Sequence, residues 1–197
     1  MIKKLKKDNI ENILGMDKSR IIVFDTETTG LNSTYDELLQ VSMIDGNGSA
    51  LFNSYIHPQR HDSWNEAEAV NHISPEMVRN APTINEVREE ISSLFSNAEL
   101  LVSYNGGFDT DFLIVGGVLV PEMIPHIDVM REFAPIYGDW NDYFGSYTWK
   151  KLIVAAAYYR YDWSSAPHDS LSDCRATLFV FDKICEDIAT AREVEMA

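Results

Sequence analysis

The chain has 197 residues, of which 45% are hydrophobic, and carries a formal net charge of −15 at pH 7. This length suits one folded domain with a sizeable core. A membrane-spanning helix is excluded, because no apolar run approaches the roughly 20 residues that a bilayer requires. The negative charge argues against a protein that coats duplex nucleic acid, since such proteins neutralise phosphates with Lys and Arg.

The amino terminus and the two cysteines both predict a cytoplasmic protein. The basic segment at residues 1–7 is not followed by the apolar stretch of a secretory signal. Cys174 and Cys185 fall in one predicted helix, where eleven residues rise about 16 Å. A disulfide needs Cα atoms within about 7 Å. We therefore expect free, buried thiols, as in a reducing compartment.

The first three predicted strands follow a basic lead-in at residues 1–19. Arg20–Thr26 is β-branched and almost continuously apolar, which is typical of a strand inside a sheet. Glu37–Ile44 and Ala50–Ile56 are the next strands, and Asp45-Gly46-Asn47-Gly48 between them is a strong hairpin signal. The sheet therefore begins with three antiparallel strands.

Helices and further strands follow in alternation. The predicted elements, in chain order, are a helical turn at Ser74–Val78, a capped helix at Thr83–Phe95, a strand at Leu100–Tyr104, a helix at Gly107–Val118, a short strand at His126–Val129 with a helical stretch after it, and helices at Tyr147–Tyr158 and Asp169–Ala189. This order predicts an α/β fold in which a mixed sheet is flanked by helices, over a domain of residues 20–190 with a short tail at 191–197. Active sites of such sheets lie at strand ends.

Two acidic residues end the first strand, where charge is costly. Asp25 and Glu27 are two positions apart and so project to one face of the strand. Ionised carboxylates at the end of a buried strand need a strong partner, and paired oxygen ligands suit Mg²⁺ or Mn²⁺. Taken alone, such a pair more often caps a strand and faces water, so this segment by itself is a weak signal.

Two later segments add polar residues at the ends of other elements. Asp109 lies in the first turn of a predicted helix, where the helix dipole favours a carboxylate with or without a function. His168 precedes the last helix and Asp173 lies about one turn into it. A His beside a metal-bound water is the usual general base near neutral pH, although an isolated His more often has a structural role. Four carboxylates and one His on three elements form a pattern that chance seldom supplies.

This pattern resembles the DEDDh (DnaQ-like) exonuclease family, to which the proofreading epsilon subunit of the bacterial replicative polymerase belongs. Phe24–Gly30 is similar to the first family motif, Asn105–Asp109 to the second and His168–Asp173 to the third. His72-Ile73 and Pro82-Thr83-Ile84 resemble the segment that links them. The resemblance spans about residues 20–185 and implies a ribonuclease H-like fold and a metal-dependent 3′→5′ exonuclease.

The resemblance also implies roles for individual residues. The metal ligands would be Asp25, Glu27, Asp109 and Asp173. The pocket for the terminal nucleotide would be lined by Thr28, Thr29, His72, Asn105 and Phe108, with Leu31 wedged between the last two bases. In this hypothesis one Mg²⁺ or Mn²⁺ ion lies among Asp25, Glu27 and Asp173, and a second is held by Asp25 with support from Asp109. His168 would take the proton from the attacking water.

Three positions depart from the family pattern. Tyr104 stands where the family often has His, and Gly106 and Ser170 stand where it usually has Ala. Because these positions are small or lie beside the pocket, they bear on substrate preference more than on catalysis.

The acidic composition favours single-stranded or frayed 3′ ends of DNA as the substrate, held by aromatic stacking. The candidate stacking residues are Tyr104, Phe108, Trp140, Tyr143, Tyr147 and Trp149. A ribonuclease that trims RNA 3′ ends stays open as an alternative, because DNA and RNA differ at the 2′-OH. So does a non-catalytic nucleic-acid-binding module, although the intact set of five residues argues against it. The short tail predicts a free-standing exonuclease rather than a tethered polymerase subunit, and the lysine cluster at residues 3–7 is interpreted as a solvated arm.

Overall fold

A computed structural model of the chain describes residues 4–6, 9–163 and 168–196, with residues 192–196 described by their backbone alone. The strands are β1 (Ile21–Thr28), β2 (Leu38–Asp45), β3 (Ala50–Tyr55), β4 (Leu100–Ser103), β5 (His126–Asp128), β6 (Trp140–Asn141) and β7 (Ser146–Tyr147). The helices are α1 (Ile10–Leu14), α2 (Asn65–Asn71), α3 (Pro75–Val78), α4 (Ile84–Ser96), α5 (Gly106–Val115), α6 (Val129–Tyr137), α7 (Leu152–Tyr158) and α8 (Ser170–Met196). Within the described ranges, none of the helices has the length and apolarity to cross a membrane.

Five strands form one mixed sheet in the order β3-β2-β1-β4-β5. The first three pair antiparallel, whereas β4 lies parallel to β1 and β5 lies parallel to β4. The predicted α/β fold and mixed sheet are therefore confirmed. Because β1, β4 and β5 run in the same direction, their carboxyl ends meet at one edge of the sheet, which is where such folds place their active sites.

Side chains of β1 alternate between two cores. Ile21 and Val23 pack in the core that contains the apolar face of α8, while Ile22 and Phe24 pack in the core formed with α4 and α5. Since the alternation continues along the strand, Asp25 shares the face that packs against α8. The strand sequence thus fixes the side of the sheet on which its acidic residues lie.

The last helix, α8, brings the third motif to the same edge. Its buried residues Cys174, Leu178 and Phe181 pack against the sheet at the predicted helical spacing. Cys174 and Cys185 are both free and buried, as predicted. The helix runs to Met196 rather than ending near residue 189.

Some predicted boundaries were wrong. The helix predicted from Tyr147 begins at Leu152, because Ser146–Tyr147 pairs with Trp140–Asn141 in a separate small hairpin. The pattern also missed α2, whose exposed Glu-rich surface lacks a clear apolar stripe, and α1, which adds Ile10 to the core from within the segment interpreted as a lead-in. Part of the lysine cluster, at residues 3 and 7, lies outside the described residues.

Candidate active site

Asp109 connects α5 to the first strand. Its side chain is 3% exposed. One carboxylate oxygen accepts hydrogen bonds from the Thr26 backbone N–H at 3.1 Å and from the Thr26 hydroxyl at 2.7 Å. Thr26 lies on the α5 face of β1, opposite Asp25, so this pair of bonds fixes Asp109 beside the acidic end of the strand.

The four predicted carboxylates influence one another strongly. Burial raises the pKa of Asp25 well above its usual value, and the charges of Asp109 and Asp173 raise it further. Burial and then the charges of Asp173 and Asp109 raise the pKa of Glu27 to about 8. Burial is also the main reason why the pKa of Asp109 rises to about 7 and that of Asp173 to about 6. Mutual repulsion of this kind shows that the acidic residues of all three motifs converge on one site.

His168 completes the cluster. Ligand atoms of Glu27, His168 and Asp173 lie within 4.8 Å of one another. Partial burial of the imidazole, then the charges of Lys151 and His72, lower the pKa of His168 below its usual value of 6.5. The ring is therefore neutral at pH 7, in the form that can accept a proton or bind a cation.

The chemistry of the donor set fits a divalent cation. One oxygen of Asp173 is buried without a hydrogen-bond partner among the described residues. Across the same described ranges, no Lys or Arg forms an ion pair with any of the four carboxylates. Buried carboxylates are stable only with a compensating charge, and a set of oxygen donors suits Mg²⁺ or Mn²⁺.

Strained backbone borders the cluster. Among the described residues, three of the four non-glycine residues with left-handed backbone surround the site: His72 (φ 60°), Asn105 (φ 65°) and His168 (φ 66°). The backbone N–H of Asn105 donates to Asp128 at 3.0 Å, which holds the turn between β4 and α5 in this conformation. Backbone of this kind costs about 1–3 kcal/mol per residue and persists mainly at functional sites.

The predicted nucleotide-pocket residues surround the carboxylates but line three separate cavities. The largest, of about 640 Å³, is termed here the α2 groove and contains Thr28, Thr29, Leu31 and Phe108. His72 lines a small pocket of about 180 Å³ together with His168 and Asp169. Asn105 lines a third cavity, of about 330 Å³, termed here the α7 cavity. Their assignment to one nucleotide-binding pocket stays a prediction.

Three further residues contact the cluster and were missed by sequence reasoning. Asn71 is buried at the end of α2 and donates to the backbone oxygen of Thr28 at 3.2 Å, and its side chain offsets part of the rise in the pKa of Glu27. Asp169 accepts a bond from Gln40 at 2.9 Å. The available signals were the polar Gln40 within an apolar strand and the position of Asn71 next to His72.

At each of the three positions that depart from the family pattern, a neighbouring residue of this chain accommodates the residue that is present. A Cβ at Gly106 would lie 1.9 Å from the Ser103 hydroxyl, so alanine does not fit there without rearrangement. The Ser170 hydroxyl lies 2.6 Å from the Ser42 hydroxyl in a buried pair. Tyr104 is buried, and its hydroxyl donates to the backbone oxygen of Lys150 at 2.7 Å. Tyr104 therefore anchors the segment before α7 and is not free to stack on a base.

The fold and the site together define an α/β protein with a cluster of carboxylates, suited to divalent cations, at one edge of its sheet. The family model RNase_T, described as Exonuclease, matches residues 22–181, and the chain belongs to this exonuclease family. The predicted resemblance to DnaQ-like exonucleases and the ribonuclease H-like fold are thereby confirmed.

The chain is similar in sequence to a phage exonuclease and to part of a bacterial polymerase. The chain is 30% identical to the uncharacterized exonuclease CP81 of Escherichia phage 186 over 173 residues, which covers 84% of this chain and 88% of the phage protein. It is 28% identical to the PolC-type DNA polymerase III of Staphylococcus saprophyticus over 177 residues, or 85% of this chain. The match spans 11% of that polymerase's length.

Solved structures of similar fold include two exonucleases bound to DNA. Exonuclease X in complex with 5′ overhanging duplex DNA has a TM-score of 0.61 at 21% identity, covering 85% of this chain and 92% of that one. Escherichia coli exonuclease I in complex with a dA16 oligonucleotide has a TM-score of 0.64 at 17% identity, covering 84% and 42%. At these identities the likeness establishes the fold.

Proposed function

We propose that the chain is a DEDDh-type 3′→5′ exonuclease that hydrolyses the last phosphodiester bond of single-stranded or frayed DNA, with two divalent cations and His168 as general base. The observation that carries this proposal is the convergence of four carboxylates from β1, α5 and α8 beside His168. The DNA bound to exonuclease X and to exonuclease I supports DNA as the substrate class.

The carboxylates would hold the cations. Asp25, Glu27 and Asp173 would bind one ion, and Asp25 with Asp109 would bind the other. Bound Mg²⁺ or Mn²⁺ would supply positive charge for the phosphoryl oxygens and make a water molecule more acidic. The raised pKa values of Glu27 and Asp109 mean that these groups give up protons when a cation binds.

His168 would accept the proton of the attacking water. Its imidazole is held near Glu27 and Asp173, and its lowered pKa keeps it unprotonated at pH 7. The nearby positive charge of Lys151 contributes to that lowering. General-base assistance of this kind is worth about 10²–10⁴ in rate.

The α2 groove would bind the terminal nucleoside. Its lining includes Leu31 and Phe108 for the base and the polar side chain of Asn71, and no Lys or Arg from the described part of the chain. A groove without positive charge favours the uncharged base and sugar over a further phosphate. Leu31 is 88% exposed at this groove, a position from which it can separate the last base from the one before it.

Digestion of end-labelled strands tests this function. A 5′-labelled 20-mer of DNA and its RNA counterpart are incubated with the protein in Mg²⁺ or Mn²⁺. We expect products that shorten by single nucleotides from the 3′ end, with DNA cleaved faster than RNA. Products from internal cleavage, or no cleavage with either metal, would contradict the proposal.

Asp25→Asn is the variant that links this activity to the site. We expect at least about a 10³-fold loss of rate, because the carboxylate that would bind both ions is removed, with no loss of thermal stability. Asp111→Asn is the matched control, since Asp111 is an exposed acid in the same helix as Asp109. Near-normal turnover by Asp25→Asn would show that the site is wrongly assigned.

A further inference from the structure

We propose that residues 139–149, termed here the aromatic hairpin, form a stacking surface for the bases on the 5′ side of the terminal nucleotide. This inference rests on the proposed function and extends it by naming where the rest of the single strand lies. It assigns a role to a part of the chain outside the three motifs.

The aromatic hairpin exposes several large aromatic rings that do not pack in the hydrophobic core. Strands β6 and β7 are only two residues long and pair with each other, apart from the main sheet. Its exposed aromatic residues are Trp140, Tyr143, Phe144, Tyr147 and Trp149. None of them belongs to the hydrophobic clusters of the described residues. Tyr143 is 88% exposed and Phe144 is 72% exposed. Their rings contact edge to face, with 4.9 Å between the ring centroids. Exposed aromatic surface of this extent marks a binding site.

Three basic side chains lie at the base of the aromatic hairpin, of which Arg131 is ion-paired with Asp128 and Lys150 with Asp139. The Arg131 guanidinium lies 5.4 Å from the centre of the Trp149 ring. Lys150 lies 4.8 Å from the ring centre of Tyr137. Lys151 is exposed and forms no ion pair with another described residue. Lys151 is therefore the basic side chain of the three that is not offset by an ion pair among the described residues, and it lines the α7 cavity, where it can attract a phosphate of the strand.

The α7 cavity joins the aromatic hairpin to the candidate active site. It is lined by Trp149 and Lys151 on one side and by His168 and Asp173 on the other. The Tyr104 hydroxyl donates to the backbone oxygen of Lys150, which fixes the end of the hairpin next to the second motif. A strand whose last phosphodiester lies at the carboxylates can therefore continue through this cavity to the exposed rings.

The chemistry of this surface fits single-stranded nucleic acid. Aromatic rings beside Lys and Arg bind successive bases and phosphates without sequence preference, and each stacked base contributes strongly to affinity. A protein partner would also use exposed rings, but would not require the cavity that leads from Trp149 to His168.

The test compares a long with a short substrate. The variant Tyr143→Ala/Phe144→Ala removes the two tip rings without changing a residue of the candidate active site. We expect KM for a dT20 strand to rise about tenfold with kcat unchanged, and KM for a thymidine dinucleotide to stay the same. Leu119→Ala/Met123→Ala is the matched control, because these exposed apolar residues precede β5 at the opposite edge of the sheet.

A second substrate identifies the bases as the ligand. In a dT20 strand whose fourth to eighth nucleotides from the 3′ end are abasic, wild-type KM should rise about tenfold, whereas KM of the hairpin variant should not rise further. Equal KM values for wild type and hairpin variant on intact dT20 would overturn the inference, as a surface for a protein partner predicts. That result would leave the proposed exonuclease function standing.

Failure of the proposed function has a different signature. If the wild-type protein cleaves neither dT20 nor the dinucleotide, the exonuclease proposal fails. Quenching of tryptophan fluorescence by uncleaved dT20 then tests the aromatic hairpin by itself. Weaker binding by the hairpin variant would support the inference, and equal binding or no binding by either protein would overturn it.

Discussion

The two sides of the carboxylate cluster differ in charge and in shape. Among the described residues, the α2 groove is lined by Glu66, Leu31 and Phe108 without a basic residue. The α7 cavity contains Lys151 and also Lys150, which is paired with Asp139. The first side is suited to one uncharged nucleoside, and the second to a polyanion that continues away from the site. Under the proposed function, this contrast would let a strongly acidic chain act on a nucleic acid, since positive charge is needed on one side of the site only.

Of the substitutions that test the two sides of the cluster, loss of the proposed general base is expected to lower the reaction rate most. His168 borders the α7 cavity, and His168→Ala should lower kcat by about 10²–10⁴ while Mn²⁺ binding and folding persist. The measurement is single-turnover cleavage of dT20 at pH 8. Because His168 is exposed, added imidazole should restore part of the rate. A variant with unchanged kcat would mean that another group takes the proton.

A smaller effect is expected on the nucleoside side. Leu31→Ala removes an exposed apolar side chain from the α2 groove, and KM should rise about threefold to tenfold, which corresponds to about 1 kcal/mol. This rise should be the same for the dinucleotide and for dT20, unlike the length-dependent effect of the hairpin variant. A change in KM for dT20 alone would show that the division between the two sides is wrong.

Sequence reasoning found the parts of the site that local patterns encode. The alternation along β1 predicts that Asp25 and Glu27 share a face, and the helical spacing after His168 predicts the buried face of α8. These predictions succeed because periods of two and 3.6 residues are properties of the chain itself.

The contacts that complete the site depend on tertiary structure. The bond from Thr26 to Asp109 joins residues 83 positions apart, and that from Gln40 to Asp169 joins residues 129 apart. No local period links such pairs. The sequence also did not distinguish exposed from buried aromatic residues: Tyr143 and Tyr104 were both candidates for base stacking, and Tyr143 is exposed. Tyr104, by contrast, is buried, so the expectation that it stacks on a base was wrong.

Protons and metal cations compete for the carboxylate cluster that lies between the α2 groove and the α7 cavity. With pKa values of about 8 and about 7, Glu27 and Asp109 are largely protonated at pH 6 without a cation, and Asp173, with a pKa of about 6, is about half protonated. Each proton must leave before the oxygen can bind a metal, so the cost of binding falls as pH rises from 6 to 8. Affinity for Mn²⁺ should therefore increase over this range, by about tenfold for each proton displaced per pH unit.

Calorimetric titration of Mn²⁺ into the protein at pH 6, 7 and 8 tests the central claim that these carboxylates form a metal site. We predict binding that tightens with pH and releases protons to the buffer. Binding should be lost in Asp173→Asn and kept in Asp169→Asn, because Asp169 is already hydrogen-bonded to Gln40. Absence of binding by the wild type, or equal binding by Asp173→Asn, would contradict the assignment of the site.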